Sequence, residues 1–287
     1  MNWLTEPLSY DFMQRALAAG LLAVVTTSVV GTWVVLRRLA FMGDALAHGV
    51  LPGIAVAFLL GLNLAAGAAV AAAVMVAAIA LVHRTSRLSE DTAIGLLFVG
   101  MLALGVVIIS RSGSFAVDLV AILFGDVLGT TGSDLVLQGV AAVVALTGAV
   151  VFYRPLMALS FNEQKAATLG MWPGVAHLVM MGLITLAVVA SFQAVGALLV
   201  FGLLVAPPAT AVLIARRVPT VMATAVLLGS IEVVGGLLIS YHFDTAAGAT
   251  MSGLSVAVFF LVLAATRLRS SLGSSRVAQA DAGISLQ

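Results

Sequence analysis

The sequence predicts an all-α integral membrane protein with about nine transmembrane helices. Hydrophobic residues make up 62% of its 287 residues and charged residues only 9%, a composition too apolar for a water-soluble domain. Lipid offers no partners for backbone polar groups, so a chain crosses it as helices or as a closed barrel. The sequence lacks the alternating segments of about ten residues that a barrel needs. Because a spanning helix takes about 20 apolar residues, the chain has room for eight or nine spans.

Long apolar segments define these spans, and connections separate them. The segments are residues 14–36, 45–61, 64–82, 92–110, 134–153, 174–190, 193–214, 219–241 and 248–266. Merging the segments near 174–214 would give eight spans, and dividing one of them would give ten. We expect residues 111–134 to form a partly re-entrant segment and residues 153–174 to hold a short amphipathic helix.

The basic residues predict how the chain is oriented. Every second connection, together with the C-terminal tail, carries eleven of the 13 lysines and arginines. By the positive-inside rule, these connections and the C-terminus are cytoplasmic and the N-terminus lies outside. We expect residues 1–270 to form one transmembrane domain, and the polar tail, residues 271–287, to be disordered.

The stretch RRLAFMGDALAHGVLPG, residues 37–53, places two ionisable residues in an apolar region. On a helix, Asp44 and His48 lie one turn apart on the same stripe, and Pro52 lies one turn further. Carboxylate, imidazole and carbonyl oxygen can bind zinc, manganese or iron. Pro52 removes the donor to the His48 carbonyl, and Gly49 and Gly53 remove side-chain bulk, which favours a helix break beside a cavity.

A structural interpretation of the same stretch stays open. Asp44 would then cap a helix N-terminus, and His48 would be a packing residue with its hydrogen bonds satisfied. Ionisable residues inside a membrane are functional candidates by default, which favours the metal site. The sequence has no cysteine, so a metal would be bound by histidine, carboxylates or backbone oxygen.

Three further residues are secondary candidates for metal binding. Glu232 lies in an apolar run, where an ionised carboxylate facing lipid costs roughly 2.5 kcal/mol or more, so it needs a cavity or a polar partner. Two roles for Glu232 stay open: it contacts the metal, or it is a structural acid paired with a polar partner. His242 and Asp244 follow at the end of that span, where they would receive a metal or lie at the membrane interface. We expect His177 to pack in the protein and His83 to be an interfacial cation.

Five segments in this order resemble the membrane permease subunits of ABC importers for zinc, manganese and iron, the ABC-3 family. They are RRLAFMGDALAHGVLPGIAVAFLLG at 37–61, DLVAILFGDVLG at 118–129, YRPLMALSFNEQKAATLG at 153–170, VGALLVFGLLVAPPATAVLIA at 195–215 and VGGLLISYHFDTAAGAT at 234–250. The resemblance covers most of the chain. It implies the permease fold of ABC importers, similar to the vitamin B12 type (type II).

The resemblance also assigns residues. The hallmark aspartate and histidine of the family fall on Asp44 and His48. The family pattern DxPxGA falls on Asp244, Ala246, Gly248 and Ala249, and Ala246 replaces a frequent proline, which leaves the rigidity of that loop open. The helix of the family that docks on the ATPase falls on residues 161–170, with Phe161, Asn162, Glu163, Lys165, Ala166, Leu169 and Gly170 as its candidate contacts. The alternative for this segment is an ordinary solvated interfacial helix.

The partners that the resemblance implies are a second copy of the chain, a cytoplasmic ATP-binding subunit and an extracytoplasmic metal-binding receptor, all at a bacterial plasma (inner) membrane. The single lysine, Lys165, follows Gln164, so the chain has no G-x-x-x-x-G-K-[ST] loop, and we expect no enzymatic activity from it. An ion-coupled transporter is less favoured because inverted hydropathy repeats are not evident. The cargo we expect is zinc, with manganese or iron as the alternative. We expect membrane lipid around the chain, no further cofactor and no nucleic acid.

Overall fold

A computed structural model describes residues 6–110, 127–161 and 170–284, which form helices and short connections without strands. A 3-10 turn, Pro7–Ser9, precedes the first α-helix. The α-helices are α1 (Asp11–Leu36), α2 (Ala40–Gly49), α3 (Leu51–Leu59), α4 (Leu64–Thr85), α5 (Glu90–Ile109), α6 (Gly132–Val151), α7 (Tyr153–Phe161), α8 (Pro173–Val195), α9 (Ala197–Ile214), α10 (Val218–Phe243) and α11 (Ala247–Ile284). The all-α prediction is confirmed for these residues.

The membrane-spanning helices follow the predicted order. Among the described residues, eight helical segments are long and apolar enough to cross a membrane, and α2 and α3 together count as one of them, Ala40–Leu59. The helix α9 contributes a shorter apolar segment, Val200–Ile214. Counting α9 gives nine crossings, which is the predicted number. The second span begins at Ala40 rather than at residue 45, because residues 40–44 are helical as well.

The helix α1 lies at the centre of the bundle and packs against α6, α8, α9 and α10. Every residue of α1 from Thr26 to Val34 is buried. The buried hydroxyls of Thr27 and Thr32 each donate at 2.8 Å to the carbonyl one turn earlier, at Ala23 and Ser28. Polar side chains of α1 are thereby accommodated in an apolar bundle, as buried hydroxyls require.

The contact between α1 and α9 depends on a glycine and two prolines. Pro207 and Pro208 lie inside α9, and Pro208 has no N–H to donate to the Leu204 carbonyl. That carbonyl points at α1, where a Cβ added to Gly31 would lie 1.8 Å from the Leu204 oxygen. A residue without a side chain is therefore required at position 31 for the two helices to approach this closely.

The glycines after His48 serve helix packing. A Cβ at Gly53 would lie 2.1 Å from the Gly67 oxygen of α4, and one at Gly67 would lie 2.4 Å from the Gly53 oxygen. A Cβ at Gly49 would lie 2.0 Å from the Met75 sulfur, also on α4. Gly49 and Gly53 thus face α4, and their missing side chains allow α2 and α3 to pack closely on it.

One end of the bundle collects basic side chains. Helices α1, α6 and α9 end there, and α10 begins there. We call it the basic end; it carries Arg37, Arg38, Arg154, Arg216 and Arg217. The turn between α10 and α11, with Asp244, lies at the opposite end. The helix α11 includes the backbone of residues 271–284, and the predicted disorder of this tail stays a prediction.

Candidate metal site

Asp44 and His48 lie on α2, about one and two turns from its start at the basic end. The Asp44 Oδ1 and the His48 Nε2 are 3.5 Å apart, as the spacing of four residues predicts. The Asp44 side chain is 30% exposed and that of His48 is 13% exposed. Both groups therefore reach the surface of α2, although the helix is packed against α5, α8 and α9.

The capping interpretation of Asp44 is wrong. The helix α2 begins at Ala40, its N-cap is Leu39, and no side chain caps it. Asp44 lies a full turn inside the helix, where its carboxylate faces His48 instead of the helix N-terminus. This result removes one of the two structural explanations for an acid at this position.

His48 is not a packing residue with both ring nitrogens satisfied. Its Nδ1 is buried and forms no hydrogen bond with the described residues, while its Nε2 faces Asp44. The ring packs edge-on against Phe98 of α5 at a centroid distance of 5.4 Å, and Phe98 in turn contacts Phe41 at 6.0 Å. Phe98 thus fixes the orientation of the imidazole. Sequence reasoning missed it, because it lies 50 positions away and carries no local signal.

The helix break at Pro52 is slight. Val50 separates α2 from α3, keeps a right-handed helical conformation and donates at 3.2 Å to the Leu46 carbonyl. Pro52 is buried in the first turn of α3, and its nitrogen lies near Gly105 of α5. The break therefore leaves the span packed against α4 and α5.

The pair has the geometry to bind one divalent ion. Ligands placed about 2.1 Å from a tetrahedral ion stand roughly 3.4 Å apart, close to the separation of the two atoms here. Among the described residues there is no group of three or more histidines, cysteines or acids that could hold a metal. One copy of the chain thus offers two ligands, which leaves an ion open to water or to another chain.

Glu232 lies on α10, apart from this pair. Its side chain is 1% exposed, and neither carboxylate oxygen forms a hydrogen bond with a described residue. The Ser255 hydroxyl of α11 is its nearby polar neighbour and donates to the Met251 carbonyl at 3.1 Å. The sequence expectation that Glu232 avoids lipid agrees with this burial.

His242 and Asp244 lie about 15 Å or more along α10 from Glu232, at the opposite end of the bundle. Asp244 is exposed and ends α10 in a left-handed conformation, with φ 51°, which aspartate tolerates better than most residues. The His242 ring packs on Tyr241 at 5.2 Å. The structure thus brings together Asp44 and His48, and it does not bring Glu232, His242 or Asp244 to them.

The loop after Asp244 is held by hydrogen bonds where the family often has proline. The Ser240 hydroxyl donates to the Thr245 carbonyl, and the Thr245 and Thr250 hydroxyls are 2.8 Å apart. The Ala246 carbonyl accepts from the Thr250 hydroxyl at 2.9 Å. These bonds constrain the loop without the ring of a proline.

The expected docking segment lies mostly outside the described residues. Phe161 ends α7, and Gly170 follows the undescribed part with a positive φ of 68°. Asn162, Glu163, Lys165, Ala166 and Leu169 fall between them, as does the centre of the expected amphipathic helix. The predicted re-entrant segment is described only from residue 127 onward. His177 has a partner in the structure, and the side chain of His83 lies outside the described part.

Comparison with known proteins places this chain in a family. The profile described as the ABC 3 transport family matches residues 9–266. The manganese transport system membrane protein MntC of Halalkalibacterium halodurans is 38% identical, over 88% of this chain and 87% of its own length. The chelated iron transport system membrane protein YfeD of Yersinia pestis is 36% identical, over 90% of this chain and 86% of its own length.

Solved structures share the architecture. PsaBC from Streptococcus pneumoniae, solved in complex with a Fab, superposes with a TM-score of 0.82 and 32% identity, covering 91% of this chain and 94% of that chain. An ABC transporter of the metal-chelate type in an inward-facing conformation has a TM-score of 0.73 at 15% identity, which shows a common fold. The expected ABC importer permease fold is confirmed. Since the family profile spans nearly the whole bundle, from the first turn to α11, the chain belongs to the ABC 3 transport family.

Proposed function

We propose that this chain is the membrane pathway of an ATP-driven importer of divalent transition metals, with Asp44 and His48 as the ligands that pass the ion. The observation that carries the proposal is the pair itself: a carboxylate and an imidazole 3.5 Å apart, both reaching the surface of a membrane-spanning helix. A carboxylate facing lipid is unfavourable by roughly 2.5 kcal/mol or more. A polar pathway beside α2 would remove that penalty, and the pair would bind the ion that passes through it.

A second copy of the chain completes the pathway in this proposal. Two copies related by a two-fold axis would present two aspartates and two histidines, enough for a four-ligand site, whereas one copy presents two. Such a site must release its ion, and each factor of ten in affinity, about 1.4 kcal/mol, slows release tenfold at constant entry rate. Ligands shared between two moving subunits can separate, which lets the ion leave.

Manganese is the cargo we favour over iron and zinc. The similar proteins named above are manganese and iron systems by name, which supports the alternative metals of the sequence analysis rather than zinc. Carboxylate, carbonyl and water oxygen suit manganese, and one imidazole per copy is compatible with it. The site has no thiolate, the ligand that would favour zinc or copper.

Energy and delivery come from partners in this proposal. An ATP-binding subunit would dock at residues 161–170 on the cytoplasmic side, and a metal-binding receptor would deliver the ion at the opposite end, where His242 and Asp244 lie. The C-terminus would then be cytoplasmic and the N-terminus outside, at a bacterial plasma membrane. The positive-inside distribution of arginines at the basic end supports this orientation.

Uptake by vesicles tests the function. Vesicles containing the chain, its ATP-binding subunit and the metal-loaded receptor are given manganese, iron and zinc in competition, with and without ATP. We expect ATP-dependent accumulation of manganese. Accumulation of zinc in preference to manganese would refute the cargo, and uptake that needs an ion gradient in place of ATP would refute the importer class.

A further inference from the structure

An apolar groove runs along the outside of the bundle at the basic end. It has a volume of about 530 Å³, within the roughly 300–1,000 Å³ of ligand sites, and it lies between α1, α6 and α10. Val29, Ala149 and Met222 are among the side chains that line it, and its one aromatic wall is Tyr153. None of these helices carries Asp44 or His48, so the groove is separate from the metal pair.

The groove spans most of one leaflet. Its α10 wall extends from Pro219 to Val226, which is about 10 Å along the helix axis. Half of a hydrocarbon core of ~30 Å is ~15 Å, so the groove covers most of the leaflet at the basic end. Its occupant in a membrane must therefore be apolar along about this length and must enter from the side.

Three arginines neighbour lining residues of the groove in the sequence. Arg154 directly follows Tyr153, and Arg217 is two residues before Pro219, with Arg216 next to it. All three side chains are exposed, and none forms an ion pair with a described residue. Arg217 is also the N-cap of the 26-residue helix α10, whose free N–H groups favour an anion.

We infer that this groove binds an anionic phospholipid of the leaflet at the basic end. One acyl chain lies between α1, α6 and α10, and the headgroup phosphate is held by Arg154, Arg216 and Arg217. Guanidinium groups bind phosphate through paired hydrogen bonds, and a tyrosine at headgroup level is typical of the membrane interface. Because α1 packs against four other spans, an occupied groove would also brace the centre of the bundle.

Trp33 provides a local probe of the groove. Its ring contacts that of Tyr153 at 5.6 Å, and its side chain is 1% exposed, so bulk lipid does not reach it. A chain with Trp3→Phe and Trp172→Phe retains Trp33 as its only tryptophan. This chain is reconstituted in phosphatidylcholine vesicles that contain a small fraction of brominated lipid. The brominated lipid is phosphatidylglycerol in one sample and phosphatidylcholine in the other, and Trp33 fluorescence is measured in both.

We expect brominated phosphatidylglycerol to quench Trp33 more strongly than brominated phosphatidylcholine at equal fraction, and unlabelled phosphatidylglycerol to relieve the quenching. Replacing Arg216 and Arg217 by glutamine should reduce the preference about fivefold for each arginine. Ala223→Phe, which fills the groove, should abolish quenching by both lipids. The matched controls are Arg87→Gln, at an exposed arginine of another connection, and Ala257→Phe, at an exposed alanine of α11.

Three results would overturn the inference. The first is equal quenching by the two headgroups, and the second is an unchanged preference in the arginine variant, whose exposed side chains can be replaced without disturbing packing. The third is a combination of two observations: neither brominated lipid quenches Trp33, and a thiol cross-linker joins two chains that carry Ala223→Cys. In that case the groove would hold a second copy of the chain.

Discussion

At the scale of single residues, the Asp44 and His48 pair combines a functional geometry with an incomplete ligand set. The Oδ1 and Nε2 atoms are 3.5 Å apart, and the buried Nδ1 of His48 has no described partner. A histidine with a purely structural role would have both ring nitrogens hydrogen-bonded, and the Nδ1 of His48 is not bonded to a described residue. Phe98 instead holds the ring where it can bind an ion together with Asp44.

Substituting the pair should stop transport without unfolding the chain. We expect Asp44→Asn combined with His48→Asn to lower the initial rate of metal uptake by at least about tenfold, since loss of even an indirect metal contact costs 10–100-fold. Assembly should be unchanged, because both side chains reach the surface. Asp91→Asn, at an exposed acid of α5, is the control. A double variant that transports at the original rate would exclude the pair from the pathway.

Glu232 makes the opposite prediction. It is buried between α10 and α11 and is not brought to Asp44 or His48, so we expect Glu232→Gln to assemble and to transport manganese as the original chain does. The amide keeps the shape of the carboxyl, and its NH2 can donate to the Ser255 oxygen, whose own proton goes to the Met251 carbonyl. Uptake measured in the same vesicles tests this. A loss of transport with normal assembly would instead assign Glu232 to the pathway.

The sequence predicted the site where the signal was local. A spacing of four residues on one helix predicts proximity by geometry alone, and Asp44 and His48 confirm it. Phe98 could not be predicted, because its contact with His48 depends on how α5 packs on α2. The capping interpretation of Asp44 was wrong because the helix starts four residues earlier, at Ala40, and sequence patterns place helix ends only to within a few residues.

At the scale of elements, α1 and α9 meet at Gly31 of α1 and the Leu204 carbonyl of α9, to which Pro208 cannot donate. We expect Gly31→Ala to destabilise the chain by about 1–3 kcal/mol, because the new Cβ overlaps the Leu204 oxygen and a backbone must shift. Gly139→Ala in α6 is the matched control, since nothing lies within 4 Å of a Cβ there. Thermal unfolding in detergent measures both variants. Equal midpoints would contradict the close approach.

The order of the elements was predictable, but their contacts were not. Apolar runs of about 20 residues predict spans regardless of tertiary structure, which is why nine crossings follow from the sequence. Gly49 and Gly53 suggested a cavity beside the helix break, whereas they face Met75 and Gly67 of α4. A glycine in a membrane helix is equally compatible with a cavity and with a close neighbour, and only the packing distinguishes the two.

At the scale of the whole molecule, the exposed faces of the bundle have different chemistry. The helix α2 bears Asp44, His48 and the half-exposed ring of Phe41, whereas the surface of α6, like the more distant part of α5, is formed by valines and leucines that suit lipid. The groove between α1, α6 and α10 is apolar, with arginines next to its lining residues in the sequence. A polar pair requires a polar neighbour, so the exposed face of α2 is the one that a second copy would cover.

The absence of cysteine allows a direct test of that arrangement. Phe41→Cys places one thiol three residues from Asp44, at a side chain that is 43% exposed. If two copies face each other across their metal pairs, a short bis-maleimide reagent should convert this variant in membranes into a covalent dimer. Val140→Cys on α6, at a side chain 57% exposed, should stay monomeric under the same treatment. Dimers formed through position 140 and not through position 41 would place the pair away from the subunit interface, and the four-ligand pathway would then be wrong even if Asp44 and His48 were each required for uptake.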